Sequence, residues 1–342
     1  MVGNFRALIA AAIGILVGAG GAHAQTADEW SAVVAAAKKE GKVIVYSAYV
    51  GAPSSRAVAK AFEARYGITV DLLEVRGSEI RERVRVEQSA GRFIGDVLYS
   101  SVGQVKLHEV DDKTVERLPA VPAIKRLTTQ FPADTAFAPV MTIPYGILVN
   151  TNLVKPGEEP KRWADLGDPK WAGKILSDDT RAIGGGYLMA FAMHDNKALG
   201  LPYLEKLAAN KPVMTRDQRE SQRRTARGEF AVYIPFIMTD VPQLKGLPVK
   251  HIIPEEGLAY VLYGNAPLKG SSRPNASRLY IDFCLSEEAQ LIYGRDGHGT
   301  TTTGIADKVP PEVKPILEAK LLGTSDSSRQ NFMLDLMKKV FK

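Results

Sequence analysis

Hydrophobic and polar positions change period several times along the chain. Behind Asp28, a capping side chain, Trp30, Val33, Val34 and Ala37 recur at helical spacing, and Gly41 stops the pattern. Lys42 to Tyr46 is a short apolar run and reads as a buried strand. A helix from Ser54 or Ser55, with Val58, Ala61 and Phe62 on one face, is predicted to end at Gly67. Ile68 to Leu73 reads as a strand, Glu79 to Ala90 as a helix, and Asp96 to Tyr99 as another strand. Strands alternating with helices predict a mainly parallel α/β sheet with helices on both faces.

Beyond residue 105 the pattern loosens. Pro119, Pro122 and Pro132 predict irregular chain. Pro139 to Asn150 is a long apolar run holding Pro144, which predicts an edge or a crossing segment and not a central strand. Strands are predicted at Lys174 to Leu176, Ala231 to Ile234 and Ala259 to Tyr263. Helices are expected after Gly184-Gly185-Gly186, over Tyr280 to Ile292, over Pro311 to Leu322, and from Asn331 onward. No repeat or linker tract interrupts the series, so two lobes are expected to share crossings of extended chain.

Residues 1–24 carry an export pattern. Arg6 precedes an uncharged apolar stretch from Ala7 to Gly18, and Ala22-His23-Ala24 offers a small-residue cleavage site. The apolar stretch is shorter than the ~20 residues a membrane span needs. A periplasmic protein is therefore expected. Cys284, the single cysteine, excludes an internal disulfide and a lipid-anchoring cysteine near the start. Its apolar neighbours predict an inert buried thiol.

Composition adds exclusions. The 342 residues are 45% hydrophobic with a formal charge of +6, and the basic residues form no long run, so no nucleic-acid partner is expected. There is no G-x-S-x-G and no H-E-x-x-H. Gly167 to Lys174 resembles a phosphate loop with one residue too many, and Ile175 stands where a hydroxyl would bind magnesium. Four scattered histidines beyond residue 24 suggest neither a metal site nor a catalytic base. An exported binder without cofactor or metal, and not an enzyme, is the expectation.

Trp163-Ala164-Asp165-Leu166, Asp168-Pro169-Lys170-Trp171 and Gly173-Lys174-Ile175 together resemble a signature of periplasmic solute-binding proteins of ABC importers. The branch is the one that includes ferric-iron-binding and polyamine-binding members. Lys42 to Ser47, Gly95-Asp96-Val97, Pro144-Tyr145-Gly146 and Gly228 to Val232 fit the same order. The resemblance implies a type 2 two-lobe fold. One lobe would be 25–105 plus 255–305, the other 106–254 plus 306–342. A small ligand would sit in the cleft, and the inner-membrane ABC permease would be the partner of a monomer. Ferric-binding members carry adjacent tyrosines after the strand matching Ala231 to Ile234. Here Pro235-Phe236-Ile237-Met238 follows, so a small organic anion, phosphorylated or carboxylated, is expected in place of iron. A ferric-binding protein is the first alternative, and a periplasmic enzyme reusing the fold the second.

Ligands of open parallel sheets lie beyond the carboxyl ends of strands. That rule nominates Ser47 and Tyr49 after the first strand, Arg76, Gly77 and Ser78 after the second, and Ser100 and Ser101 after the third. In the second lobe it nominates Asp179, Thr180 and Arg181, ahead of a glycine-opened helix whose free N–H groups suit an anion. Tyr145, Tyr233 and Tyr263 are expected on the crossings or cleft walls. Arg181 is the first choice for gripping the anion, with Asp178 as its alternative partner. The arginines from Arg216 to Arg227 are read as a solvated helix face.

Overall fold

The structure, a computed structural model, describes residues 27–342. The export signal expected over 1–24 lies outside the described residues. Among those described, no helix is long and apolar enough to cross a membrane.

Helix α1 (Ala27–Glu40) stops where Gly41 takes a φ of 74°, and β1 (Lys42–Ser47) begins at once. Pro53 opens α2 (Pro53–Tyr66), and Gly67 closes it with a left-handed cap. Then come β2 (Thr69–Glu74), α3 (Gly77–Ser89), β3 (Val97–Ser101) and the short α4 (Val102–Lys106). The middle of the chain holds β4 (Ala138–Asn150), β5 (Ile175–Asp178), α5 (Gly185–Asp195), α6 (Gly200–Ala209), β6 (Val213–Thr215), α7 (Gln218–Ala226) and β7 (Val232–Ile237). The last part holds β8 (Val249–Ile252), β9 (Leu258–Pro267), α8 (Pro274–Cys284), α9 (Glu287–Arg295), β10 (Gly299–Thr300), α10 (Lys314–Glu318), β11 (Leu321–Gly323) and α11 (Gln330–Val340).

The strands hydrogen-bond in the order β2-β1-β3-β9-β4-β7-β5-β6, with β10 and β8 on β4 and β11 on β9. Each end is parallel: β1 with β2 and β3, and β5 with β6 and β7. The long antiparallel strands β4 and β9 join the two ends. Residues 139–150 do cross between the two ends, but the expectation that Pro144 keeps them out of the centre of the sheet is wrong: β4 is a central, fully buried strand paired with β9 on one side and β7 on the other. Pro144 falls where the second partner of β4 changes, from β10 at Thr142 to β7 at Tyr145, a break in the ladder that tolerates a missing N–H.

Two further expectations fail locally. Tyr280 to Ile292 is not one helix. Ser286 accepts a hydrogen bond from Ala289 N and starts α9 anew. Pro311 to Leu322 is mostly not helical either, since Leu321–Gly323 adds to β9 as a parallel strand.

One core gathers Val43, Val45, Val58, Phe62 and Phe283. Val121, Ala123, Val140 and Met141 join it, although the division read from the sequence placed 106–254 in the other lobe. A second core holds Trp163, Phe191, Leu204, Val232 and Met337. The tryptophan signature is structural. Trp163 is fully buried and its indole N–H donates to Gly257 O at 2.8 Å. Cys284 is buried, and burial pushes its thiol up to about 12, so it is inert as expected.

Candidate functional site

A cavity of about 920 Å³ opens between the two parallel ends, with β4 and β9 at its back. From the first end come Arg76, at the start of α3, Ser101, at the start of α4, and Gln104. From the second come Asp178 and Asp179 after β5, the Gly184-Gly185 opening of α5, and Arg216, Gln218 and Arg219 at the start of α7. Tyr145 of β4, Tyr263 of β9 and Tyr187 of α5 supply ring surface. Thr324, Ser325 and Ser327 close one side, where a Cβ on Gly103 of α4 would lie 3.5 Å from Ser327 Cβ.

The glycines earn their place by proximity. A Cβ on Gly186 would sit 2.2 Å from the carbonyl oxygen of Asp178, and one on Gly185 would sit 2.8 Å from Asp178 Oδ2. Gly184 provides no side-chain cap, so the first N–H groups of α5 are left without a side-chain acceptor.

Charge is distributed unevenly. The guanidinium groups of Arg76, Arg216 and Arg219 are exposed and make no hydrogen bond or ion pair with a described residue. Asp179 is occupied by Arg181, whose Nε donates to its Oδ1 at 2.8 Å. Burial would raise the Asp179 carboxyl, but that guanidinium and the Arg181 backbone N–H hold it below its ordinary value. Asp178 is only 5% exposed; Tyr233 OH donates to its Oδ1 at 2.9 Å and Gln218 Nε2 to its Oδ2 at 2.6 Å. Burial pushes its carboxyl up to about 6 in spite of these two donors.

The residues nominated from the sequence divide accordingly. Arg76, Ser101, Tyr145, Asp179 and Tyr263 line the cavity. Gly77 opens α3 beside Gln104. Ser78 is exposed and is not part of the cavity lining. Ser47, Ser100 and Thr180 are buried below the surface, the hydroxyls of Ser100 and Thr180 without partners. Tyr49 lies behind Tyr263, ring centroids 5.4 Å apart, with its hydroxyl 3.0 Å from His298 Nε2. Tyr233 is fully buried and acts on the cavity through Asp178. Arg181, the first choice for an anion grip, is not on the cavity wall, and its partner is Asp179, not Asp178.

The basic helix also differs from expectation. Arg223, Arg224 and Arg227 pair with Glu220 or Glu229 on the outside, as a solvated face does. Arg216 and Arg219, one turn earlier, turn into the cavity. Arg216 precedes the Asp217 cap and Arg219 sits in the first turn of α7, so both flank the helix start that faces the cavity. A second, shallower hollow of about 820 Å³ lies on the outer face by α9. Its Arg65 and Arg126 already face Glu288 and Glu287.

Burial pushes the Tyr263 hydroxyl up to about 12 and that of Tyr145 further still, so both are protonated donors near neutrality. The described residues hold no group of three or more His, Cys, Asp or Glu side chains placed to hold a metal ion.

Comparison with known proteins agrees with this architecture. An uncharacterized protein of Haemophilus influenzae is 26% identical over 307 residues, covering 83% of this chain and 85% of that one. The apo ferric ion-binding protein A of Pasteurella haemolytica superposes with a TM-score of 0.72 at 19% identity, over 88% of this chain and 98% of that one. A substrate-binding protein of an ABC transporter from Agrobacterium tumefaciens gives 0.71 at 17% identity, over 88% and 94%. The spermidine/putrescine ABC transporter substrate-binding protein of Streptococcus pneumoniae gives 0.68 at 15%, over 88% and 99%. These likenesses establish the type 2 periplasmic binding protein fold. The family profile described as bacterial extracellular solute-binding protein matches residues 92–317, which takes in β3, both crossing strands and most of the second lobe. The chain thus belongs to the bacterial extracellular solute-binding protein family.

Proposed function

We propose that this protein is the periplasmic capture component of an ABC importer, and that it holds a small organic anion in the cleft and presents it to the membrane permease. The observation that carries the reading is the set of three arginines, Arg76 on one side and Arg216 and Arg219 on the other, all lining one cavity and none in a hydrogen bond or ion pair with an acid among the described residues. Unpaired guanidinium groups in a concave site raise the local concentration of anions and grip carboxylate or phosphate bidentately. The open start of α5 adds N–H donors. An anion touched from both sides favours the shut cleft, so binding and closure are linked. We place the hinge in β4 and β9, with 121–143 moving with the first lobe, because these residues pack into its core. Arg181 enters only indirectly, by holding Asp179 at the rim.

Ferric iron is the reading this disfavours. A ferric site wants anionic oxygen donors, and the phenols here are held protonated by burial while the free charges are positive. Adding ferric citrate to the apo-protein is expected to produce no visible phenolate-to-iron absorption band. An orange or salmon colour at one iron per chain would restore the iron reading.

A further inference from the structure

We infer that the captured solute is a zwitterion, an anion that also carries an ammonium group, and that Asp178 receives that ammonium. This deepens, and rests on, the reading of the cleft as an anion-capturing site. The cavity holds unpaired charge of both signs. Among the described residues three guanidinium groups have no ion-pair partner, and two lining carboxylates, Asp178 and Asp217, have none either; Asp217 is exposed and caps α7 at Glu220 N, whereas Asp178 is buried with only the neutral donors Gln218 and Tyr233 and no basic side chain within ion-pair distance. The nearest basic residue along the chain, Arg181, is taken by Asp179. A carboxylate this buried is costly unless a cation reaches it.

The fold spends sequence on keeping Asp178 at the wall. Glycines at 185 and 186 let α5 start against it, and Tyr233 and Gln218 fix both of its oxygens from β7 and α7. Each carboxylate oxygen accepts more than one hydrogen bond, so acceptor capacity remains for a ligand ammonium. A plain anion would satisfy the arginines and leave Asp178 unmet. A polyamine would do the reverse. A ligand with both groups satisfies both.

Calorimetry at about pH 7.5 with three small probes tests this: 2-aminoethyl phosphate, 2-hydroxyethyl phosphate and ethyl phosphate. The amino compound is expected to bind at least tenfold more tightly than the other two, the size of one charge-assisted hydrogen bond. In Asp178→Asn the three affinities should converge. Equal affinities in the wild type, or an amino advantage that survives Asp178→Asn, would overturn the zwitterion inference and leave the anion site standing. A hydroxyl compound matching the amino compound would overturn it too, since a neutral donor would then suffice. Binding of none of the three, nor of β-alanine or propionate, would overturn the anion site itself. Should Asp178→Asn fail to fold by thermal melt, the wild-type comparison decides alone.

Discussion

Replacing Arg216 and Arg219 together by glutamine is expected to weaken anion binding by roughly a hundredfold to ten-thousandfold. Each guanidinium forms a charge-assisted hydrogen bond worth about 1.5–3 kcal/mol, and ~1.4 kcal/mol is one decade of affinity. Both side chains line the cavity without a hydrogen bond or ion pair to an acid among the described residues, so their loss breaks no such contact within the protein. Stability should change by less than about 0.5 kcal/mol, because both are exposed at the start of α7 and the Asp217 cap, which accepts from Glu220 N, is untouched. The matched control is Arg223→Gln with Arg224→Gln. These lie further along the same helix and pair outward with Glu220 and Glu229, so their removal keeps the net charge change but spares the cavity. If both pairs weaken binding equally, the effect is one of overall charge and the cleft assignment is wrong. Calorimetry with ethyl phosphate separates the two cases.

The second large effect concerns Asp96, in the first lobe and remote from the ligand. Its carboxylate is completely buried. It accepts from Ile44 N at 2.7 Å, Ser271 Oγ at 2.6 Å and Arg273 Nε at 2.7 Å, while its own carbonyl accepts from Leu268 N. One side chain thereby ties β1 to Ser271 and to Arg273 at the start of α8. The preceding Gly95 allows this: a Cβ there would meet Leu268 Cδ1 at 2.7 Å and Tyr46 Cε2 at 2.8 Å. Asp96→Ala leaves a strand N–H and the Nε of a mostly buried guanidinium without acceptors, and removes that guanidinium's counter-charge, while its Nη2 keeps its bond to Ile94 O. A loss of about 3–5 kcal/mol is expected, the cost of breaking a buried ion pair from one side. Urea unfolding followed by circular dichroism measures it. A loss under about 1 kcal/mol would mean that water replaces the carboxylate, as at an exposed pair.

The β/α alternation from Asp28 to Tyr99 was legible because the elements there obey the apolar period and the glycine stops; the capping residues were not, since Asp28 lies inside α1 and α2 opens at Pro53 with no side-chain cap from Ser54 or Ser55. The tryptophan signature was legible as family, yet its residues turn out to hold the second core and not the ligand. What sequence could not provide was the direction of side chains in the site. Arg181 looked ideal, between a strand end and a helix start, but the residue two before it is an acid, and an Asx-type contact from Arg181 N to Asp179 Oδ1 at 3.0 Å folds the arginine back. Arg216 and Arg219 looked like solvent-facing charges because they share a helix with Arg223, Arg224 and Arg227. Only the way α7 packs against β4, β5 and β7 decides which end faces the cleft. Asp178 was read only as an alternative partner for Arg181. Its burial comes from Tyr233, 55 positions away, and Gln218, 40 positions away, and no local pattern reports contacts at such range. The split of the predicted helix over Tyr280 to Ile292 was within reach, since Ser286 followed by Glu287 and Glu288 is a helix start in its own right.

Native mass spectrometry of the protein purified from its own periplasm, without unfolding, addresses the central claim most directly. The account predicts one small organic solute per chain, bearing a carboxylate or phosphorus oxyanion, which is retained by the wild type and absent from the Arg216→Gln/Arg219→Gln variant. A retained ferric ion, or a purely cationic solute held equally by both proteins, would contradict it.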